Sequence, residues 1–207
     1  MKQEIVDIFK ELGGNTERIK GKSLPEDLLS ITFDTVLYAD RFDEGDGLRF
    51  CGLDDFYNSN KELYHTDEAL FFTKMLEKYF CKTEQGLGQK FWRGELFTPL
   101  NKGTKDFAEW NDLFMDSGEY GTDLSEIRKI TNDPTPDFLL LFYSYGYPDH
   151  YYICLSDPNP ENPTVFGTDH EEFFRNIEIE GTLEDFMKKF ITKKRFLEIA
   201  KNDIRGM

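Results

Sequence analysis

The chain has 207 residues, with 40 Asp and Glu against 25 Lys and Arg, for a formal charge of −15. At 15% aromatic it holds enough apolar surface for a real core, which excludes a disordered acidic tail and favours one domain over two. The charge repels phosphate backbones and anionic membrane surfaces, so neither nucleic acid nor membrane is expected as a direct ligand.

Ile5, Ile8, Phe9 and Leu12 recur at helical spacing and stop at Gly13-Gly14, which predicts a helix over 2–12. This opening has neither the apolar run nor the cleavage site of a signal peptide. No segment reaches the roughly 20 apolar residues of a membrane span. A loop over 15–25 leads into 28–56, rich in Thr, Val, Tyr and Phe and broken by Asp43-Glu44-Gly45-Asp46-Gly47, which reads as strands flanking an acidic turn. Over 67–80 an acidic start, apolar residues on one face and Lys74 and Lys78 near the end predict a helix suited to its dipole. The glycine-rich stretch 83–102 reads as loop with one strand at most. Thr104 is placed to cap a helix carrying Phe107, Trp110, Asn111 and Phe114.

The last third is the most explicit. Runs at 138–145 and 151–155 are β-prone and joined by a turn with Gly146 and Pro148, which predicts a hairpin. A proline-rich turn then leads to 164–167 as a third strand. Thr182, with Asp185 three residues on, caps a helix that turns Phe186 and Phe190 inward, and a basic helical tail over 193–205 ends the sequence.

Chemistry leaves few local marks. His65, His150 and His170 lie in separate segments with no second His or Cys at ligand spacing, so no metal and no cofactor are expected. The acidic turn fails as a calcium loop, with Phe42 at an early ligand position and a leucine in place of the closing glutamate. Gly86-Leu87-Gly88 lacks the remaining parts of a phosphate loop. Cys51, Cys81 and Cys154 are scattered and odd in number, which fits buried thiols in a reducing compartment, the cytoplasm. Together these features point to a binding protein rather than an enzyme.

The order of pieces from 138 to 190 resembles the C-terminal half of the SUKH superfamily. The matching pieces are Asp157-Pro158 with Pro163-Thr164-Val165-Phe166, then His170, then Thr182-Leu183-Glu184-Asp185-Phe186-Met187. Leu24-Pro25-Glu26-Asp27-Leu28 and Gly47-Leu48-Arg49-Phe50 stand where that family has a helix start and an early strand, and 57–130 is enlarged relative to a small member. The resemblance implies a single α+β domain with a central, largely antiparallel sheet and flanking helices, and no catalytic residues.

Bacterial members of that superfamily serve largely as immunity proteins that neutralise toxins, often nucleases, and others, including relatives of fungal cell-wall-synthesis regulators, act as interaction modules. The resemblance therefore implies a cognate toxin, and the charge favours a basic one. The expected contacts are Asp43, Glu44, Asp46, Asp54 and Asp55 from a first acidic region, and Asp157, Asp169, Glu171 and Glu172 from a second. The competing reading makes these carboxylates solvated turns and helix starts. A regulatory scaffold without a toxin, or an enzyme of unrecognised type, are the other functions open to this sequence.

Overall fold

The computed structural model describes residues 1–39, 52–84, 88–115, 121–145 and 149–206. Helix α1 (Gln3–Glu11) buries Ile5 and Phe9 and stops at the glycine pair as expected. Strand β1 (Gly14–Asn15) follows, and a Cβ on Gly14 would stand 2.9 Å from both the Phe33 ring and the Phe9 carbonyl oxygen, so only glycine lets the strand approach. Helix α2 (Leu24–Ser30) begins at Ser23, whose Oγ accepts from the Glu26 N–H at 3.3 Å, with Pro25 in the first turn. It is followed by β2 (Thr32–Phe33), which pairs with β1, and β3 (Leu37–Tyr38).

Among the described residues of 28–56, the expected strands are two short pieces. Capping chemistry turns α2 into helix, and α3 (Leu53–Ser59) is helical as well, with Leu53 and Phe56 on its buried side. The turn at 43–47 lies outside the described residues. Helix α4 (Lys61–Thr66) leads into α5 (Glu68–Tyr79), which fits the predicted helix and is capped by Asp67 accepting from the Leu70 N–H at 2.9 Å.

The stretch read mainly as loop contains β4 (Gln89–Phe97), a nine-residue interior strand. Its register slips between Trp92 and Glu95, where Gly94 adopts φ +57° and a Cβ would meet the Trp92 indole nitrogen at 2.8 Å. Helix α6 (Lys105–Met115) starts at Thr104 as expected, with Thr104 Oγ1 accepting from the Phe107 N–H at 3.1 Å, and α7 (Ser125–Thr131) follows.

The predicted hairpin is β5 (Phe138–Ser144) and β6 (His150–Cys154), and β7 (Thr164–Thr168) is the third strand. After a 3₁₀ turn at Phe173–Arg175 comes a strand that sequence reading missed, β8 (Ile177–Thr182). Thr182 caps α8 (Leu183–Met187) by accepting from the Asp185 N–H at 3.2 Å, and Phe186 and Phe190 are both buried as expected. Helix α9 (Lys193–Arg205) is the predicted basic tail.

Strands β3 to β8 form one curled antiparallel sheet in sequential order, and β1 and β2 a separate small one, so the fold class is α+β. Alternation along β5 and β6 splits the core. Leu139 and Ile153 face α1, α2 and α8, while Phe138, Tyr152 and Phe166 face Phe114 of α6, Ile127 of α7 and Phe174. A third cluster joins β3 and β4 to α3, α5 and α9 through Tyr38, Phe91, Phe71, Met75 and Phe196. Among the described residues no helix is long and apolar enough to cross a membrane.

Burial pushes the Tyr38 phenol up to about 12, and its Oη donates to the Tyr79 carbonyl at 2.6 Å. Burial also raises Tyr151 and Tyr152. An unfolded tyrosine ionises near pH 10, so above that pH the folded state holds more protons than the unfolded one and stability falls as pH rises. Tyr38 alone is expected to remove about 2 kcal/mol between pH 10 and pH 12. Burial lowers Lys90, which acts in the opposite sense, its cost fading as pH rises from its folded value toward the ordinary lysine range. Urea unfolding at pH 9, 11 and 12 measures the net effect. In Tyr38→Phe the alkaline loss should shrink by roughly that amount.

Candidate protein-binding surface

The expected contact residues fall into three groups. Asp43, Glu44 and Asp46 lie outside the described residues. Asp54 and Asp55 occupy the exposed first turn of α3, where carboxylates also favour the helix dipole. Helix α3 belongs with the β3 end of the sheet, whereas residues 169–172 follow β7. Four strand spacings separate β3 from β7, roughly 19 Å along the sheet, so Asp54 and Asp55 do not share one patch with the carboxylates at 169–172.

Asp157 corrects the sequence reading. Its side chain is only 7% exposed, Oδ1 accepts from the Asn159 N–H at 2.7 Å, and Oδ2 accepts from the Thr164 N–H at 2.9 Å. It fastens the two sides of the proline-rich turn and starts β7. Asn162 completes the fastening by accepting from the Glu184 N–H at 2.9 Å, which holds α8 to the same turn. An Asp followed by Pro-Asn is an Asx-turn signal, and that signal identifies the role of Asp157 from sequence.

The remaining residues do converge. Asp169 is exposed, and its Oδ1 accepts from the N–H groups of Glu171 at 2.6 Å and Glu172 at 3.2 Å, which fixes the direction of all three residues. Asp149, missed in the sequence, joins them: its Oδ1 lies 3.3 Å from the His170 N–H nitrogen and 3.1 Å from His170 Nδ1. Pairing of His150 with Thr168 sets this meeting, since Asp149 and Asp169 flank the last pair of the β6–β7 ladder. Only the strand register reveals it.

Glu178 extends the acidic surface onto β8, opposite Gly167, and Glu180 stands beside it with Lys189 Nζ donating to its carbonyl at 2.9 Å. Tyr151 lies under this rim. Its phenol is raised by burial first, countered by a hydrogen bond from Ser144, and raised further by the charges of Glu180, Asp149 and Glu178. Lys90 reaches the same point from β4, donating to Ser144 Oγ and, at 2.7 Å, to Tyr151 Oη. Burial lowers its pKa, and Asp149 and Glu180 oppose that effect. Ser144 is only 5% exposed, so this lysine–serine–tyrosine network ties β4, β5 and β6 together instead of offering a hydroxyl to a substrate.

The surface above it carries Asp149, Asp169, Glu171, Glu172 and Glu178, with Glu171 81% exposed. A rim of this kind attracts cations and basic proteins over distances of a Debye length. Comparison of the chain with protein-family models, with curated proteins and with solved structures finds no significant match.

Proposed function

We propose that this chain is a non-enzymatic, cytoplasmic protein-binding domain of the immunity type, which neutralises a basic toxin domain, a nuclease foremost. It does so by covering the groove that the toxin uses for its anionic substrate. The grouping of Asp149, Asp169, Glu171, Glu172 and Glu178 at one corner of the sheet carries the reading. Fixed carboxylates of this kind steer a basic partner and set its register, while buried contacts supply the slow dissociation. Further support comes from the net charge and the sequential antiparallel sheet.

The test is association kinetics against the protein encoded by the neighbouring gene, at several ionic strengths. Neutralising Glu171, Glu172 and Glu178 together to Gln is expected to lower the association rate roughly tenfold at low salt and to flatten its salt dependence. Dissociation should change much less. The matched control, neutralising Lys193, Lys194 and Arg195 to Gln, should leave the rate of approach unreduced, and both sets lie on the surface of the protein. An unchanged association rate in the acidic variant removes this surface from the interface. Failure of the wild type to bind the neighbouring protein at any salt removes the toxin.

A further inference from the structure

We propose that His170, Asp149 and Asp169 form a binding site for a divalent transition-metal ion of the zinc class. The sequence gives no hint of it, since the histidine and Asp149 are 21 positions apart. One imidazole nitrogen and two carboxylate oxygens all lie within 4.8 Å of one another. His170 Nδ1 is 3.1 Å from Asp149 Oδ1 and 3.6 Å from Asp169 Oδ2. Donors held about 2.0–2.1 Å from an ion stand about 2.9–3.4 Å apart at octahedral or tetrahedral angles, so the two histidine–aspartate distances need only small adjustment, and rotation of the carboxylates draws all three donors onto one ion.

Three features set this cluster apart from ordinary surface acid. The two carboxylates flank the final pair of the β6–β7 ladder, His150 with Thr168, and like charges opposed across strands are destabilising unless a cation lies between them. Asp169 is oriented in advance: the Glu171 and Glu172 N–H groups hold its Oδ1, so Oδ2 is the atom presented to His170. The imidazole has its Nδ1 toward both aspartates and its Nε2 toward Glu171, whose Oε1 lies 3.9 Å away. A shift of under about 1 Å brings that carboxylate into hydrogen-bond reach, where it fixes the tautomer of a ligating histidine.

The donor set selects the metal. Imidazole favours zinc over magnesium and calcium, which prefer all-oxygen shells. Three protein ligands on a solvent-facing strand end leave the remaining coordination positions to water. The site is independent of the partner proposed above, and it would reduce the negative charge of the same rim.

Zinc chloride is the probe, titrated into metal-stripped protein by calorimetry, with the histidine ring nitrogens followed by NMR. One ion per chain is expected to bind in a way that perturbs His170 Nδ1 and raises the unfolding temperature. Asp149→Asn and His170→Ala should each weaken this binding at least roughly tenfold, and Glu171→Gln by about tenfold through the outer carboxylate. Neutralising the exposed α6 carboxylates, Glu109→Gln with Asp112→Asn, should leave it intact. Circular dichroism of each variant confirms that the fold is retained. Magnesium in tenfold excess should not displace zinc. Zinc uptake that His170→Ala leaves unchanged, or that falls equally in the α6 control, overturns the site, as does an unperturbed His170 ring at saturating zinc.

Discussion

Phe142→Ala is expected to destabilise the protein by about 3–5 kcal/mol, lowering the urea midpoint without changing the slope. Phe142 is fully buried on β5, immediately after the slip in register between Leu140 and Phe142. Its ring meets Trp92 edge-on at 5.0 Å and lies 5.1 Å from Phe190 and 6.0 Å from Phe186. Those contacts join β4, β5, α8 and the chain beyond it, where the Ile191 N–H bonds the Tyr38 carbonyl at 2.9 Å. Truncation removes the transfer energy of a ring and leaves a void between elements that cannot all move inward together. For a chain of this size the loss corresponds to a fall in melting temperature of about 8–16 °C. Leu96→Ala, at a side chain 49% exposed on β4, is the comparison and should cost far less. A loss at Phe142 below about 1.5 kcal/mol would mean that α8 settles into the gap, and that this face of the sheet is held less firmly than its packing indicates.

Asp157→Ala is the second large effect, about 2–4 kcal/mol, for a different reason. The carboxylate accepts two backbone N–H groups across a seven-residue span, and removing it orphans both donors in a turn whose side chain has little solvent to replace it. Asp157→Asn keeps one acceptor but places an NH₂ group against the other donor, so an intermediate loss is expected. Denaturant unfolding gives the stability, and partner binding measured well below the midpoint separates it from recognition. Folded Asp157→Ala should bind with an unchanged association rate. Unaltered stability together with lost binding would restore this residue to the interface.

These two positions also show what the sequence could disclose. The hairpins of β5, β6 and β7 are legible because alternation and turn residues are local, and the caps at Asp67, Thr104 and Thr182 sit within three residues of the groups they satisfy. Strand β4 was not legible. Its period of two breaks at Gly94, and Phe91 and Trp92 serve different clusters, so neither face reads as apolar alone. Strand β8 is short and a third acidic, which hides two isoleucines in alternation. At the acidic surface, Asp169, Glu171 and Glu172 are neighbours in sequence and were found together. Asp149 belongs with them only through a register that pairs strands, a relation that no window of sequence contains.

The sequential sheet has one uneven property. Connections from β5 to β8 are short, whereas 50 residues separate Tyr38 from Gln89 and 40 separate Phe97 from Phe138, by subtraction of their numbers. Closing a loop twice as long costs only about 0.6 kcal/mol more, so whole helices could be lengthened or exchanged in those two excursions with little effect on the pairing of their flanking strands. A single residue inserted inside β5, β6 or β7 would instead move core side chains to the opposite face. Change in chain length is therefore affordable over one part of the molecule and ruinous over the other. The exposed carboxylates of α3 ride on one of the two long excursions, whereas those beyond β7 sit in the eight residues between Thr168 and Ile177, so the former have more room to diversify by insertion than the latter.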